Sequence, residues 1–285
     1  MRTNAITIVN EGSSAVIDVD AGGLLSKLAF TVAKGKRIDV LYQPGSGKTT
    51  HTTWGHGGMP ILFPFAGRVQ DGPTQGQYRV GENTFPMPPH GFAARLPWEV
   101  KALERSNALV SLSSSKQTKQ HYPFDFEMEV SYQLGNSALQ MEIRVKNTDD
   151  RPLPIAPGLH PYFCARPEAS VVVKHEETIE VTNKGLAGER TKNTKDSFKI
   201  KDEKYHNLIL GGVSSKTCTI AGFQKGVDLE ISSSEDFQNI VLWTNDLKSY
   251  YCVEPWVSLP DAPNHGVIEV ARDEIRSFKV TIAIA

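Results

Sequence analysis

The sequence predicts an all-β protein, a large antiparallel β-sandwich, from three observations. Apolar and polar residues alternate with period two over long stretches. Helical periodicity is nearly absent. Glycine (23 residues) and proline (17) interrupt the chain throughout, with no block that resembles a linker. Many short strands divided by turn residues are the pattern of a sandwich or barrel.

Ala15 to Asp20 is the first alternating run, and Ile38 to Tyr42 and Ala108 to Ser113 read as further strands. The strongest signal lies in the middle of the chain. Phe126, Met128, Val130, Tyr132 and Leu134 alternate with Glu127, Glu129, Ser131 and Gln133. Gly135, Asn136 and Ser137 then supply turn residues. Leu139, Met141, Ile143 and Val145 alternate with Gln140, Glu142, Arg144 and Lys146. This is a long hairpin with one buried and one wet face. Val227 to Ser232 is another strand. At the end, Phe278, Val280, Ile282 and Ile284 alternate with Lys279, Thr281 and Ala283. The polar, lysine-rich stretch Asn183 to Asp202 is expected to be a long exposed excursion. No internal repeat is present, and residues 1–285 are expected to form a single domain, since large sandwiches often reach this length as one unit.

Composition narrows the function classes. Lys and Arg total 31 against 32 Asp and Glu, a formal net charge of −1. Such a chain lacks the positive field that draws proteins onto nucleic acid, and no dense Lys/Arg stripe occurs. No stretch approaches the ~20 apolar residues that cross a bilayer, so neither nucleic acid nor membrane is an expected partner. Three cysteines, Cys164, Cys218 and Cys252, form no CxxC pair and fit reduced thiols in a cytoplasmic protein. Met1 to Asn10 has one basic residue and no apolar run suited to a signal peptide. The sequence leaves monomer and homodimer both open.

Tyr42 to Thr49 reads Y-Q-P-G-S-G-K-T, close to a phosphate-binding loop. That motif needs glycine where Tyr42 stands, and a helix after it whose N-terminal amides face the phosphate. The following Thr-Thr-His-Thr-Thr-Trp-Gly-His is a poor helix, so a Gly/Ser hairpin loop is expected. His51 and His56, with Cys164 and Cys252 far away in sequence, have no ligand spacing, and no metal site is expected.

Four segments place polar residues within apolar, Pro- and Gly-rich surroundings. Gly58 to Arg68 is a rigid apolar run that delivers one arginine at its end. Pro88 to Trp98 carries His90 and Arg95. Pro154 to Phe163 carries His160. Tyr251 to Trp256 carries Glu254, with Leu259 to Asn264 close behind. Taken singly, His90 and His160 read as turn histidines bonded to backbone. Arg68 and Arg95 read as surface or ion-pair arginines, and Trp98 and Trp256 as core rather than platforms for a sugar ring. Glu254 differs, because a carboxylate in an apolar strand end is costly unless it is paired or used. Together, two histidines, two arginines and one glutamate make a site for acid–base chemistry on a polyhydroxy substrate.

The ordered set Phe63-Pro64…Gly67-Arg68, His90-Gly91…Arg95, Gly158…His160-Pro-Tyr-Phe163 and Glu254-Pro255…Pro260-Asp-Ala-Pro-Asn264 resembles the aldose 1-epimerase superfamily, whose fold is the galactose mutarotase-like supersandwich. The resemblance implies an isomerase that interconverts the α and β anomers of a hexose and needs no cofactor. It implies His160 as general acid and Glu254 as general base, with Arg68 and His90 as substrate-binding residues. It also implies a sugar-binding aspartate in the later half of the chain. Asp202 is the nearest carboxylate, although His206-Asn207 stands where acidic character is expected.

Such residues suit the reaction. Opening a hemiacetal takes a proton from the anomeric hydroxyl and returns one to the ring oxygen, and positioned acid–base groups typically contribute ~10²–10⁴-fold. Three alternatives remain open. Arg95, five residues after His90, resembles the branch that acts on hexose 6-phosphates, where a guanidinium suits phosphate. A non-catalytic carbohydrate-binding protein could use the same sandwich. A glycoside-cleaving enzyme would want a second well-placed carboxylate.

Overall fold

Alternation of side chains across each strand gives this chain its layers. A computed structural model describes residues 4–32, 35–44 and 56–285. The hairpin read from the sequence is present as Phe126–Leu134 and Ala138–Asn147, paired from Phe126↔Asn147 to Leu134↔Leu139. Its apolar residues are buried and its charged ones lie half-exposed or exposed, as period two requires.

That hairpin sits in a nine-stranded antiparallel sheet. In spatial order the strands are Glu99–Leu103, Asn107–Ser113, Phe126–Leu134, Ala138–Asn147, Ile275–Ile284, Val227–Ser233, Thr217–Gln224, Ser170–Val172 and Ser197–Lys199. An eight-stranded sheet follows the order Ala187–Lys192, Glu177–Val181, Asn207–Gly211, Asn239–Trp243, Tyr251–Trp256, Gly158–Leu159 and Ile61–Leu62. Its eighth strand, Tyr162–Phe163, also pairs with Tyr251–Trp256. A four-stranded sheet comes from the start of the chain, Ala5–Asn10 to Lys36–Asp39. Among the described residues the one α-helix is the short turn Ala262–His265.

One apolar core joins the two large sheets. Met128, Val130, Ile143 and Phe278 from the nine-stranded sheet share it with Leu208, Leu210, Ile240, Leu242, Tyr251 and Val253 from the eight-stranded one. The other face of the eight-stranded sheet is apolar too. Ile179, Ile209, Val241 and Trp256 form a second, smaller cluster there, with Leu62 and Ala66. Tyr251–Trp256 is therefore buried along its whole length. Tyr251 and Val253 face the inter-sheet core, while Cys252, Glu254 and Trp256 face the other way.

The structure corrects three expectations. Asn183 to Asp202 is not one exposed excursion: it contains the strands Ala187–Lys192 and Ser197–Lys199, each paired to a neighbour. Glu189, Arg190, Thr191 and Lys192 are all exposed, so this edge strand carries no apolar alternation to read. The run expected over Ala15 to Asp20 is the strand Ser13–Asp18, with a turn after it. The strand expected over Ile38 to Tyr42 is Lys36–Asp39, beyond which Leu41 makes a single bridge to Phe163. The glycine-rich loop after Tyr42, and His51, lie outside the described residues apart from Tyr42 to Pro44. No helix among the described residues is long and apolar enough to cross a membrane. All three cysteines are free.

Candidate active site

The second face of the eight-stranded sheet floors a cavity of about 440 Å³, within the size range of small-molecule sites. Neighbouring strands each send side chains into it by the same two-residue alternation. Asn207 and Ile209 come from one strand, Val241 and Trp243 from the next, Glu254 and Trp256 from the third. The register Asn207↔Trp243 and Val241↔Glu254 lines these residues up across the sheet. Arg68, His90, His160 and the turn residues Thr182, Asn183 and Gly185 close the sides.

His160 and Glu254 meet at the floor. The strand Gly158–Leu159 pairs Gly158 with Trp256, and Tyr162 pairs with Cys252. His160, between them, comes opposite Glu254, with Nε2 3.3 Å from Oε1. Both are buried, at 6% and 1% exposure. The His160 ring stacks on Tyr162 at a centroid distance of 4.6 Å and an interplanar angle of 10°. The Trp256 indole N–H donates to the other oxygen, Oε2 of Glu254, at 3.1 Å. Burial pushes Glu254 well above the usual carboxylate range, partly offset by the Trp256 hydrogen bond. Burial likewise pushes His160 well below the usual imidazole value, and the neighbouring His90 adds to the effect. Both directions have one cause, the loss of water around a charge. Burial thus favours the neutral form of both groups, and because they are in contact their titration belongs to the pair rather than to either residue.

His90 is set by its backbone. It adopts φ 65° and is followed by Gly91 at φ 75°. Its own amide donates to the Gly67 carbonyl at 2.6 Å, and the Gly67 amide donates to Nδ1 at 3.2 Å. An Nδ1 that accepts a hydrogen bond leaves the ring proton on Nε2. His90 is therefore both the backbone-bonded turn histidine that its flanking residues imply and a wall of the cavity. Burial, aided by Arg95 and then Arg68, lowers its pKa from 6.5 to about 3.

Because the folded pKa of His90 is depressed, the unfolded chain takes up a proton here below pH 6.5 while the folded chain does not. Stability from this residue is present above pH 6.5 and is lost as pH falls toward 3, at about 1.4 kcal/mol per pH unit. Between pH 7 and pH 5, urea unfolding of the wild type should lose roughly 1–2 kcal/mol more than that of His90→Asn. Equal losses in the two proteins would refute the half-buried, neutral imidazole. Asparagine is chosen because it tolerates the left-handed backbone.

Arg68 is exposed at the cavity mouth. Its stem packs on Gly185, where an added Cβ would come within 2.8 Å of Cδ and Nε. Asp261 fixes the backbone beneath it: the Asp261 amide donates to the Arg68 carbonyl at 2.5 Å, and Oδ1 accepts from the Gln70 amide at 2.9 Å. The Pro-Asp-Ala-Pro-Asn string thus acts as a brace for the segment that ends in Arg68.

Arg95 and Asp202 are not brought into the cavity lining. Arg95 lies on a short 3-10 turn, where Nη2 approaches the Pro89 carbonyl at 3.5 Å, and it acts on His90 through its charge. Asp202 precedes another such turn and pairs with Lys204 at 3.2 Å. Asn207, five residues later, reaches the cavity instead. Trp98 is core and donates to the Ala93 carbonyl at 3.0 Å, whereas Trp256 faces the cavity. Sequence reasoning missed Trp243, Asn207, Asn183 and His56 as lining residues. The strand alternation Asn207, Ile209 and Val241, Trp243 was the signal for two of them. His56 sits beside the pair and its Nδ1 is hydrogen-bonded with the Tyr250 hydroxyl at 3.0 Å.

A family model described as aldose 1-epimerase matches residues 4–283. The chain belongs to the aldose 1-epimerase family. It is 25% identical over 235 residues to the plasmid-encoded protein LacX of Lactococcus lactis, covering 75% of this chain and 78% of that one. It is 31% identical over 121 residues, 41% of this chain and 35% of the other, to a Salmonella typhimurium protein named "Putative glucose-6-phosphate 1-epimerase". The solved structure of the Slr1438 protein from Synechocystis sp. PCC 6803 superimposes with a TM-score of 0.87 at 25% identity, over 100% of this chain and 96% of that one. The all-β, antiparallel architecture of this chain is the one predicted from period-two alternation.

Proposed function

We propose that this protein is an aldose 1-epimerase that interconverts the α and β anomers of a hexose by acid–base ring opening and closure. The observation that carries this reading is the contact of His160 Nε2 with Glu254 Oε1, 3.3 Å apart at the floor of a sugar-sized cavity. The anomeric hydroxyl and the ring oxygen are both attached to C1. An acid and a base that serve them must therefore be neighbours, as these two are.

In the resting pair burial favours the neutral form of both groups, which keeps the shared proton on Glu254. In the productive form Glu254 is the carboxylate and His160 the imidazolium, the same proton count differently placed. Glu254 takes the proton of the anomeric hydroxyl, and His160 gives its proton to the ring oxygen as the C1–O5 bond opens. The Trp256 N–H steadies the carboxylate form. Rotation about C1–C2 presents the other carbonyl face, and the two groups exchange roles on closure. Arg68, the Nε2–H of His90, Asn183 and Asn207 supply directional hydrogen bonds to hydroxyls. Trp243 and Trp256 offer flat apolar walls to the ring. No redox step and no covalent bond to the protein is required, and a small sugar is the partner implied.

A hexose 6-phosphate is a second reading of the substrate. It is favoured by the partial likeness to the Salmonella protein and by Arg68 at the mouth, which has no carboxylate within 4.0 Å among the described residues. Polarimetry or proton NMR on freshly dissolved α-D-glucose, α-D-galactose and α-D-glucose 6-phosphate tests both. Acceleration of a free sugar supports the first reading, and acceleration of the phosphate alone selects the second. If none anomerises faster than in buffer, the enzyme reading fails and a sugar-binding role replaces it.

A further inference from the structure

Cys252 takes no part in the chemistry above, yet it stands beside the residues that do. It is two residues before Glu254 on the strand Tyr251–Trp256, so both side chains leave the same face. His160 reaches them from the link between the short strands Gly158–Leu159 and Tyr162–Phe163. Among the described residues, His160, Cys252 and Glu254 each offer one ligand atom, all within 4.8 Å of one another, and all three are buried. We propose that these three side chains form a binding site for a thiophilic divalent cation of the zinc class, which enters through the cavity and inhibits the enzyme by occupying its acid–base pair.

The donor set fits such an ion. One imidazole, one thiolate and one carboxylate are the three ligand types that zinc accepts in tetrahedral sites. Hard cations prefer oxygen alone, and copper(I) prefers more sulfur. Zinc bonds of about 2.0–2.3 Å place ligand atoms roughly 3.3–3.7 Å apart. Small side-chain rotations from separations under 4.8 Å reach that range. Three protein ligands leave the fourth position to water or to a sugar hydroxyl, and His160 and Glu254 open onto the cavity that supplies it. Charge also balances: a dication with one thiolate and one carboxylate is neutral overall, so burial that opposes either anion alone is relieved. Occupied by metal, Nε2 of His160 and Oε1 of Glu254 cannot pass protons.

Metal binding stands on these side chains alone; only the inhibition rests on the epimerase reading. The test uses the metal-free full chain titrated with Co2+, which reports a coordinating thiolate through a near-ultraviolet charge-transfer band. One equivalent should produce the band and Zn2+ should displace it. The band should survive in Cys164→Ser and vanish in Cys252→Ser, with Cys252→Ala as a second variant should serine disturb folding. Glu254→Gln, which keeps every cysteine, should weaken Zn2+ binding by more than the ~10–100-fold typical of losing an outer hydrogen-bond partner of a ligand. Anomerisation by the wild type should fall in step with Zn2+ bound, and Cys252→Ser should resist the same Zn2+ concentration. No band in the wild type, a band that persists in Cys252→Ser, or unchanged Zn2+ affinity in Glu254→Gln overturns the site. If no sugar anomerises at all, the cobalt spectrum still decides the metal question.

Discussion

Glu254→Gln is expected to lower kcat/KM for anomerisation by ~10²–10⁴-fold while leaving the fold intact. Glutamine keeps the volume of the side chain, and its carbonyl oxygen still accepts from the Trp256 indole, which now donates to Glu254 Oε2 at 3.1 Å. What disappears is the ability to take a proton from the anomeric hydroxyl. Stability should hold or rise, because burial already drives this carboxyl toward its neutral form and the amide is neutral throughout. Initial rates by polarimetry on the sugar that the wild type accelerates, with urea unfolding beside them, give both quantities. A loss smaller than ~10-fold would remove Glu254 from the role of base, and the acid–base pair would have to be sought elsewhere in the cavity.

Gly91→Ala is expected to have the largest effect on stability, about 4 kcal/mol or more, which lies in the exceptional range for a single substitution. Gly91 stands at φ 75°, a conformation that costs an L-residue roughly 1–2 kcal/mol by itself. An added Cβ would also sit 1.9 Å from the carbonyl oxygen of Phe63 and 2.4 Å from its carbon. That contact is with backbone, which cannot swing aside as a side chain can. The same oxygen accepts from the Phe92 amide at 3.0 Å and from the Ala93 amide at 3.3 Å, so moving it breaks the link between the apolar run ending in Arg68 and the turn that carries His90. Loss of soluble protein, or a urea midpoint lowered by the equivalent of about 4 kcal/mol, fits this account. A loss under ~1 kcal/mol would mean that the two segments separate cheaply, and His90 would not be held as described.

How far the sequence reads can be judged from particular residues. The hairpin Phe126–Leu134 with Ala138–Asn147 was legible because one face is wet, so its charged residues mark the pleat. The edge strand Ala187–Lys192 was not, because only Ala187 at its start packs on an apolar cluster and the polar residues from Glu189 to Lys192 are exposed on both faces. The short strands at the site, Gly158–Leu159 and Tyr162–Phe163, are too brief for any periodicity. Glu254 stood out for a chemical reason, because a carboxylate in an apolar strand end is costly unless it is used, whereas His160 taken singly read as a turn histidine and was singled out only by the ordered set of segments. Asn207 and Trp243 carry no such cost; alternation places each on the same face as Ile209 or Val241 but does not say that this face is a cavity.

Local chemistry in the sequence was enough to determine the all-β class and the central hairpin, while the resemblance carried by four ordered segments implied the family and named His160 and Glu254 as the candidate acid and base. The tertiary structure alone decided which of those residues meet. Both faces of Tyr251–Trp256 are buried, one by the inter-sheet core and one by the cavity, so alternation could not say which side Glu254 would take. Nor could spacing say that Arg95 would lie behind His90, that Asp202 would pair with Lys204, or that Asn207 would take a place in the wall. Those outcomes depend on the register between strands far apart in the chain, and register is set by the packing of whole sheets rather than by any segment's own residues.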